Sequence, residues 1–391
     1  MKASHGVAGL AFISLLYSIG FGLVLFLLPF MAYEVSGSVL AVGLLVAVPA
    51  LASMFTAIPA GNFADAYGRK TVVLAGLSLM VLLMLCLPYC STLAGFLFFA
   101  FFFGVASQLI YASIKVHLFD ITDSASKHFG VVATAFQAGL GLGPLVGGYL
   151  IINSLEAGLA SASNLFAIDL LLVALFFLFF RFSESKVTSK LKLNLKDFIF
   201  GGIREYMKLG RVGVTVLWLT IMFTTYEGLV WTLEPLFNKY YGLDSFTTGL
   251  IMSMFILPFI LFNIPAGILA DRYGKMKVLV PGLITAGFFM ILFGLARDTP
   301  LLIVFAFLST AGLAFAWISL SGLLADASRK SKKGGIIGVW NTSEELGYLA
   351  GPILGGLVAQ YSGIRMPFIT LGILMILSTL LIKRMHLYDK K

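Results

Sequence analysis

Long runs of apolar residues dominate this chain, and short polar stretches separate each run from the next. Twelve runs can be read, here numbered as spans one to twelve, at 9–31, 39–60, 71–89, 93–114, 131–152, 163–181, 213–236, 246–266, 278–296, 301–323, 335–358 and 364–382. A helix of about 20 apolar residues crosses the hydrocarbon core, and a lipid-exposed segment must satisfy its own backbone hydrogen bonds. The pattern therefore predicts an all-α integral membrane protein with twelve transmembrane helices.

Composition excludes a soluble protein. Hydrophobic residues make up 59% of the chain and charged residues 12%, whereas soluble domains average about 45–50% and about 25%. Span one is long enough to cross a bilayer, and no small-residue cleavage site follows a short apolar run. We therefore expect a retained first helix and not a signal peptide.

The Lys and Arg residues are distributed unevenly between the two sides of these spans. If the N-terminus lies inside, only three of the 27, Lys239, Arg297 and Arg365, fall on the outer side. This asymmetry predicts that both termini are cytoplasmic in a multi-pass protein of the plasma membrane. The net charge of +9 then reflects topology, and nucleic acid is not an expected partner.

The longest polar stretch, 183–211, separates spans six and seven. It predicts a cytoplasmic linker between a six-helix bundle at 1–182 and a second bundle at 212–391. Within the linker, apolar residues at helical spacing alternate with cations: Phe198, Ile199, Ile203, Tyr206 and Met207 with Lys196, Arg204 and Lys208. A basic helix on the inner membrane surface and an ordinary solvated linker both fit this pattern.

The two halves repeat one another. At an offset of 206 residues Pro29 meets Pro235 and Asp120 meets Asp326, and at 208 "GPLVGG" (143–148) meets "GPILGG" (351–356). Because each half has six spans, both copies enter the membrane the same way up. Parallel six-span halves are a recurring plan of transporters.

A charged block follows span two and recurs after span eight. It reads "GNFADAYGRK" at Gly61–Lys70 and "GILADRYGKM" at Gly267–Met276. It resembles the cytoplasmic signature G-x-L-A-D-R-x-G-R-K of the major facilitator superfamily, with Phe63 and Ala66 departing in the first copy. The resemblance covers essentially the whole chain. It implies two six-helix bundles around a cavity that opens alternately to each side.

The same resemblance implies a conformational latch on the cytoplasmic side. Its members would be Gly61, Asp65, Gly68, Arg69, Asp120, Asp271, Lys275 and Asp326. Asp65 would meet the inner end of span eleven, Arg69 would pair with Asp120, and the repeat offers Asp271 and Lys275 with Asp326. Such contacts would bridge the halves and stabilise the outward-open state. The alternative is that the block only marks topology.

Spans five and eleven each carry glycines four residues apart beside a proline. They are Gly139, Gly143, Pro144 and Gly147, and Gly347, Gly351, Pro352 and Gly355. A helix face without side chains favours close helix packing. The first copy resembles the G-x-x-x-G-P-x-x-G-G element of exporter branches of the superfamily, which favours efflux. Generic packing explains the glycines nearly as well.

Carboxylates appear where the repeat fails. Glu227 and Glu234 align with Phe21 and Leu28, and the adjacent Glu344 and Glu345 align with Phe136 and Gln137. An acid within a span is costly, so such acids usually serve as proton relays or cation sites. Glu227 is the strongest candidate, and we hypothesise that Glu227 and Glu345 exchange protons with an apolar or cationic substrate. Asp169 ranks lower, because span six is usually peripheral in the superfamily.

Family helix order adds polar and aromatic candidates for a substrate cavity: Tyr17, Gln108, Tyr111, Gln137, Tyr226, Trp231, Asn263, Trp317 and Asn341. Span four lacks the Arg of the drug-exporter pattern, since its first cation is Lys115. This departure argues against a standard drug/proton mechanism.

Other chemistries find little support. No nucleophile–base signature is visible, the block has six residues between Gly and Gly-Lys where a phosphate loop has four, and the four His residues are scattered. Cys86 and Cys90 read as small hydrophobes. We therefore expect no enzyme activity, no metal and no cofactor, with protons as the coupling ion and a functional monomer in the bilayer.

Three functions remain open. The first is an ion-coupled exporter of small amphipathic or cationic molecules. The second is an uptake symporter or facilitator for sugars or other metabolites, although the absence of Lys or Arg well inside a span argues against anions. The third is a membrane sensor, which would predict a large soluble domain or tail that this sequence lacks.

Overall fold

The computed structural model describes residues 2–121, 125–179, 203–328 and 333–384, and in these ranges the chain is helical without strands. The helices are α1 (Lys2–Ser36), α2 (Val39–Val46), α3 (Val48–Tyr67), α4 (Arg69–Cys86), α5 (Leu93–Ile121), α6 (Ala125–Leu150), α7 (Leu155–Phe179), α8 (Gly210–Tyr240), α9 (Ser245–Met254), α10 (Leu257–Tyr273), α11 (Lys275–Leu295), α12 (Thr299–Ala327), α13 (Lys333–Ser362) and α14 (Met366–Arg384). A 3-10 turn, Leu87–Tyr89, follows α4.

Every predicted span coincides with helix. Within the described ranges, ten helical stretches are long and apolar enough to cross a membrane. Spans eleven and twelve are outside these ten. The middle of α13 carries the polar run 341–345, and the apolar part of α14 is the shorter Met366–Leu380. The predicted all-α, multi-pass membrane architecture is confirmed.

Spans two and eight are broken helices. In span two, α2 ends at Val46 and α3 restarts with Pro49 in its first turn. In span eight, α9 ends at Met254 and α10 restarts with Pro258 in its first turn. Proline lacks the N–H that would continue the helical ladder, yet it is well suited to a first turn. The hydropathy pattern predicts one uninterrupted helix in each place, since the apolar run continues through the break.

One glycine in each copy of the charged block forms the turn between two spans. Gly68 separates α3 from α4 with φ 87°, and Gly274 separates α10 from α11 with φ 99°. Side chains strongly disfavour a positive φ of this kind, whereas glycine adopts it readily. The duplicated glycine is thus explained by backbone geometry in both copies.

Close contacts divide the chain into two compact units. The first comprises Met1–Lys192 with Asn238–Ser253, and the second comprises Leu193–Phe237 with Met254–Lys391. Most of the expected linker, including Lys196, Phe198 and Ile199, lies outside the described residues, so the bundle boundaries at 182 and 212 stay a prediction.

The segment Asn238–Ser253 belongs to the first unit because it packs directly on α1 and α6. The Ser253 hydroxyl donates to the Gly141 carbonyl at 2.6 Å. The Lys239 ammonium lies 5.8 Å from the ring centroids of both Phe30 and Tyr33. Cation–π contacts of this kind contribute about 0.5–1 kcal/mol at exposed sites.

The glycines of spans five and eleven bring helix backbones together. A Cβ built on Gly143 in α6 would lie 2.6 Å from the Gly22 carbonyl carbon and 2.7 Å from the Ile19 oxygen in α1. A Cβ built on Gly351 in α13 would lie 2.7 Å from the Leu229 nitrogen in α8. The other glycines of these rows are equally close to a neighbouring helix. Gly139 and Gly147 lie against α1, and Gly347 and Gly355 lie against α8. Pro144 and Pro352 lie inside α6 and α13.

Candidate functional site

A carboxylate inside span seven contacts a tyrosine of span eleven. The Tyr348 hydroxyl in α13 donates a short hydrogen bond to Oε2 of Glu227 in α8. The two helices come this close because Gly228 has no side chain. A Cβ there would lie 3.1 Å from the backbone carbonyl oxygen of Tyr348. Glu227 is half-buried and Tyr348 is 36% exposed. Both side chains of the pair therefore keep part of their surface exposed.

A second contact joins the same helices further along. The Trp340 indole N–H in α13 donates to the Thr220 hydroxyl in α8 at 3.0 Å. Thr220 precedes Glu227 by seven residues and Trp340 precedes Tyr348 by eight, so α8 and α13 run parallel here. At 1.5 Å per residue the two contacts are roughly 10–12 Å apart along the helices.

Aromatic rings surround this second contact. The Trp317 ring centroid in α12 lies 5.4 Å from Phe223 in α8 and 5.8 Å from Trp340 in α13. Trp317 and Trp340 are half-buried. The partly exposed rings of Trp317 and Trp340 can stack on apolar ligands and attract cations to their faces.

Glu344 shares the helix face between these two contacts. It follows Trp340 by four residues and precedes Tyr348 by four, and residues four apart lie above one another on a helix. Glu345 precedes Tyr348 by three residues, so it lies on the other side of Tyr348, about 60° around the helix. Both acids are half-buried. The helix geometry thus places Glu344 between the two contacts and makes both acids neighbours of Tyr348, so the choice of Glu345 from the sequence stays a prediction.

The remaining span-seven candidates differ in accessibility. Glu234 is fully buried, and Trp231 between it and Glu227 is half-buried. Tyr226 is 2% exposed, and its hydroxyl lies 3.0 Å from that of Ser309 and 3.2 Å from that of Thr310. Tyr226 therefore lies in the packed interior of the second unit and not on a cavity wall.

In the first unit, aromatic packing replaces the carboxylate. Phe21, which aligns with Glu227, stacks between Tyr17 at 5.7 Å and Phe103 at 5.5 Å. Tyr17 is 6% exposed and Tyr111 is 49% exposed. The remaining polar candidates are half-buried. Gln108 and Gln137 belong to the first unit, and Asn263 and Asn341 belong to the second.

In the part of the chain that the structure describes, one carboxylate oxygen and one amide oxygen are buried without a hydrogen-bond partner. They are Oδ2 of Asp169 in α7 and Oδ1 of Asn263 in α10, in residues that are themselves half-buried. Among the described residues, no three His, Cys, Asp or Glu side chains lie together as metal ligands.

An ion pair is present beside the second copy of the charged block. Lys275, the first residue of α11, donates to Asp326 near the end of α12. Gly322 makes room for this contact, because a Cβ there would lie 2.7 Å from the Lys275 Cε. Both partners belong to the second unit, so this pair joins two helices of one half. It differs in this respect from the expected bridge between halves.

The other latch candidates are only partly described. Asp271 is exposed, and Arg69 is half-buried at the start of α4. The neighbouring Lys70 donates to the Leu178 carbonyl at 2.9 Å, near the C-terminus of α7, where a cation is favoured. The side chains of Asp65 and Asp120, and the surroundings of Gly61, lie outside the described residues.

Sequence comparison decides the family. The model of the Major Facilitator Superfamily matches residues 10–226 and again 216–389. The chain belongs to the major facilitator superfamily. The double match corresponds to the two halves of the repeat.

Curated relatives within the superfamily are distant. The chain is 28% identical over 170 residues to the uncharacterized MFS-type transporter MJ1560 of Methanocaldococcus jannaschii, covering 43% of this chain and 44% of that protein. It is 27% identical to multidrug resistance protein 2 of Bacillus subtilis over 36% of this chain and 35% of that protein. It is 29% identical to quinolone resistance protein NorA of Staphylococcus aureus, with 39% of each chain covered. These matches span less than half of each relative.

Solved superfamily structures match over nearly the full length. A POT family transporter in complex with 5-aminolevulinic acid aligns with a TM-score of 0.77 and 16% identity, covering 99% of this chain and 97% of that one. A D-xylose–proton symporter aligns with a TM-score of 0.77 and 13% identity, covering 98% of both chains. At these identities the likeness establishes the fold alone.

Sequence reasoning missed Tyr348 and Trp340. At the 208 offset they align with Leu140 and Val132, so both are present in one half only. Comparison of the two halves, which identified the four glutamates, would have identified both residues if it had included aromatic side chains.

Proposed function

We propose that this transporter is a proton-coupled exporter of small amphipathic or cationic compounds that works by alternating access. The observation that carries the proposal is the partly exposed Glu227–Tyr348 pair inside a membrane span. A carboxyl group there can hold a proton or the positive charge of a ligand, but not both at once. Competition of this kind couples proton entry to release of a cation.

The relatives' names support efflux. Two of them are named for resistance to multiple drugs or to quinolones. The half-buried rings of Trp317 and Trp340, which pack together and on the buried Phe223, suit ligands that combine an apolar body with a positive charge.

An uptake symporter is the second candidate. The described span four, α5, contains no Arg, in contrast to the drug-exporter pattern. Both candidates carry the same expectations for orientation and assembly: cytoplasmic termini, the plasma membrane, protons as the coupling ion and a monomer as the functional unit.

Everted vesicles distinguish the two candidates. With an acidic lumen, we expect accumulation of ethidium that a protonophore abolishes, because an exporter exchanges lumenal protons for external substrate. A symporter would instead accumulate D-xylose in right-side-out vesicles when the outside is acidic. Vesicles that hold the protein but show gradient-independent ethidium fluxes would contradict proton-coupled efflux.

The charged block is proposed to bias the inward/outward equilibrium, with the Lys275–Asp326 pair fixing the Gly274 turn. The side chains of this pair are 18% and 44% exposed, and such pairs contribute at most about 1 kcal/mol. We therefore expect Asp326→Asn to shift the inward/outward ratio by no more than about fivefold.

Distance measurements between spin labels on the two faces test this expectation. Asp298→Asn is the matched control, because it makes the same change just before the opposite end of α12 and retains a residue suited to an N-cap. Equal distance distributions for Asp326→Asn and the unmodified protein would leave the pair with a purely topological role.

A further inference from the structure

A structured corner precedes span seven. Residues 203–207 are helical, and the chain then turns at Gly210, whose φ is 56°. The Tyr206 hydroxyl donates to the Gly213 carbonyl at 3.0 Å. Burial raises the pKa of this hydroxyl to about 12, so it stays protonated and remains a donor. The corner is therefore fixed to the first turn of α8.

Packing against a second glycine makes the corner compact. A Cβ built on Gly213 would lie 2.8 Å from the Leu209 Cβ and 3.4 Å from the Tyr206 ring. Tyr206 is only 5% exposed. Because Tyr206 faces the interior, the side chains on the opposite side of this helical segment face outward.

The outward side chains form two adjoining rows. Ile203 and Met207, four residues apart, are 43% and 74% exposed. Arg204 and Lys208, also four apart, are exposed beside them, and Arg211 is exposed at the start of α8. We call these five residues the basic corner. Lys208 pairs with Glu205, so Arg204 and Arg211 supply its net positive charge.

This surface adjoins the start of a candidate membrane span. The candidate membrane span of α8 begins at Gly210, which places the basic corner at the boundary between water and lipid. At that boundary large apolar side chains enter the acyl region, and cations extend to the headgroups. A lipid surface therefore suits the basic corner better than solvent, which would leave about three quarters of the Met207 surface hydrated.

We propose that the basic corner binds acidic phospholipid headgroups, with Arg204 and Arg211 contacting phosphate and with Ile203 and Met207 inserted among the acyl chains. The charge selects acidic over zwitterionic lipid, because zwitterionic headgroups carry no net charge. The site is independent of the transported substrate, and its occupancy is measurable without a transport assay.

Lipid titration of the purified full-length protein in detergent tests the charge selection. We expect phosphatidylglycerol to raise Tm and phosphatidylcholine to raise it much less. Arg204→Gln combined with Arg211→Gln should raise the half-maximal phosphatidylglycerol concentration about 30-fold, since each cation near an acidic surface contributes roughly a fivefold factor. Inorganic phosphate, which lacks acyl chains, should leave Tm unchanged.

Lys277→Gln combined with Arg297→Gln is the control, because it removes two exposed cations elsewhere. It should shift the half-maximal concentration less than twofold. An equal shift in both double variants would overturn the proposal, as would equal stabilisation by the two lipids or by phosphate.

Probe depth tests the apolar part independently. Met207→Cys in a chain with Cys86→Ser and Cys90→Ser can carry a bimane label in phosphatidylglycerol vesicles. We expect blue-shifted emission that lipid-borne spin labels quench and aqueous iodide does not. Quenching by iodide alone would mean a solvated linker and would reject the proposal.

Discussion

Glu227→Gln is expected to reduce proton-driven ethidium accumulation to the level of vesicles without protein. Glutamine has nearly the same shape, but its amide neither takes up nor releases a proton in this range. Exchange of substrate across the membrane without a proton gradient should persist, because the remaining aromatic contacts are intact. Comparing gradient-driven uptake with equilibrium exchange separates loss of coupling from loss of binding.

Two further variants sharpen this result. Tyr348→Phe removes the hydroxyl that donates to Glu227 and keeps the ring. Because a hydrogen bond to a charged group contributes about 1.5–3 kcal/mol, we expect a partial loss of roughly 10-fold or more in coupled uptake. Glu156→Gln neutralises an exposed acid in the first turn of α7 and should leave transport unchanged. Undiminished coupling in Glu227→Gln would remove this carboxylate from the mechanism.

The helical architecture was predictable because lipid imposes a length and a polarity on every span. Span eleven was the hardest span to recognise. Because of its polar centre, α13 is not among the ten described helices that are long and apolar enough to cross a membrane. It was recognised through its apolar flanks and the repeat. The break before Pro258 was not predictable, because hydropathy does not report where a helix ladder is interrupted.

The candidate site was predictable in part. Glu227 was identified because Phe21 occupies the equivalent position of the other half, and the structure describes Phe21 in an aromatic stack. The partner of Glu227 was not predictable in the same way. Whether Tyr348 or another residue of α13 meets it depends on the relative rotation of two helices. That rotation is set by the contact of Gly228 with α13, a feature of packing and not of local sequence.

Substitution of the closely packed glycines is expected to have the second large effect, a loss of thermal stability. We expect Gly143→Ala to lower Tm by several degrees, because the new Cβ would meet backbone atoms of Gly22 and Ile19 at 2.6–2.7 Å. Backbone cannot move aside as a flexible side chain can, and overpacking of this kind typically destabilises by about 1–3 kcal/mol. Gly351→Ala should act in the same direction through Leu229 of the second unit.

Gly338→Ala is the control, because the same substitution is expected not to lower Tm at this position. Gly338 lies in α13, and a Cβ there meets no atom of the described residues within 4 Å. In a helix interior alanine is favoured over glycine by about 1 kcal/mol, so this variant should keep or raise Tm. If Gly143→Ala also kept Tm, helix propensity would outweigh the contact and α1 and α6 could separate without loss. Close backbone packing would then not be what maintains the pairing of spans one and five, and the glycine row would need another explanation.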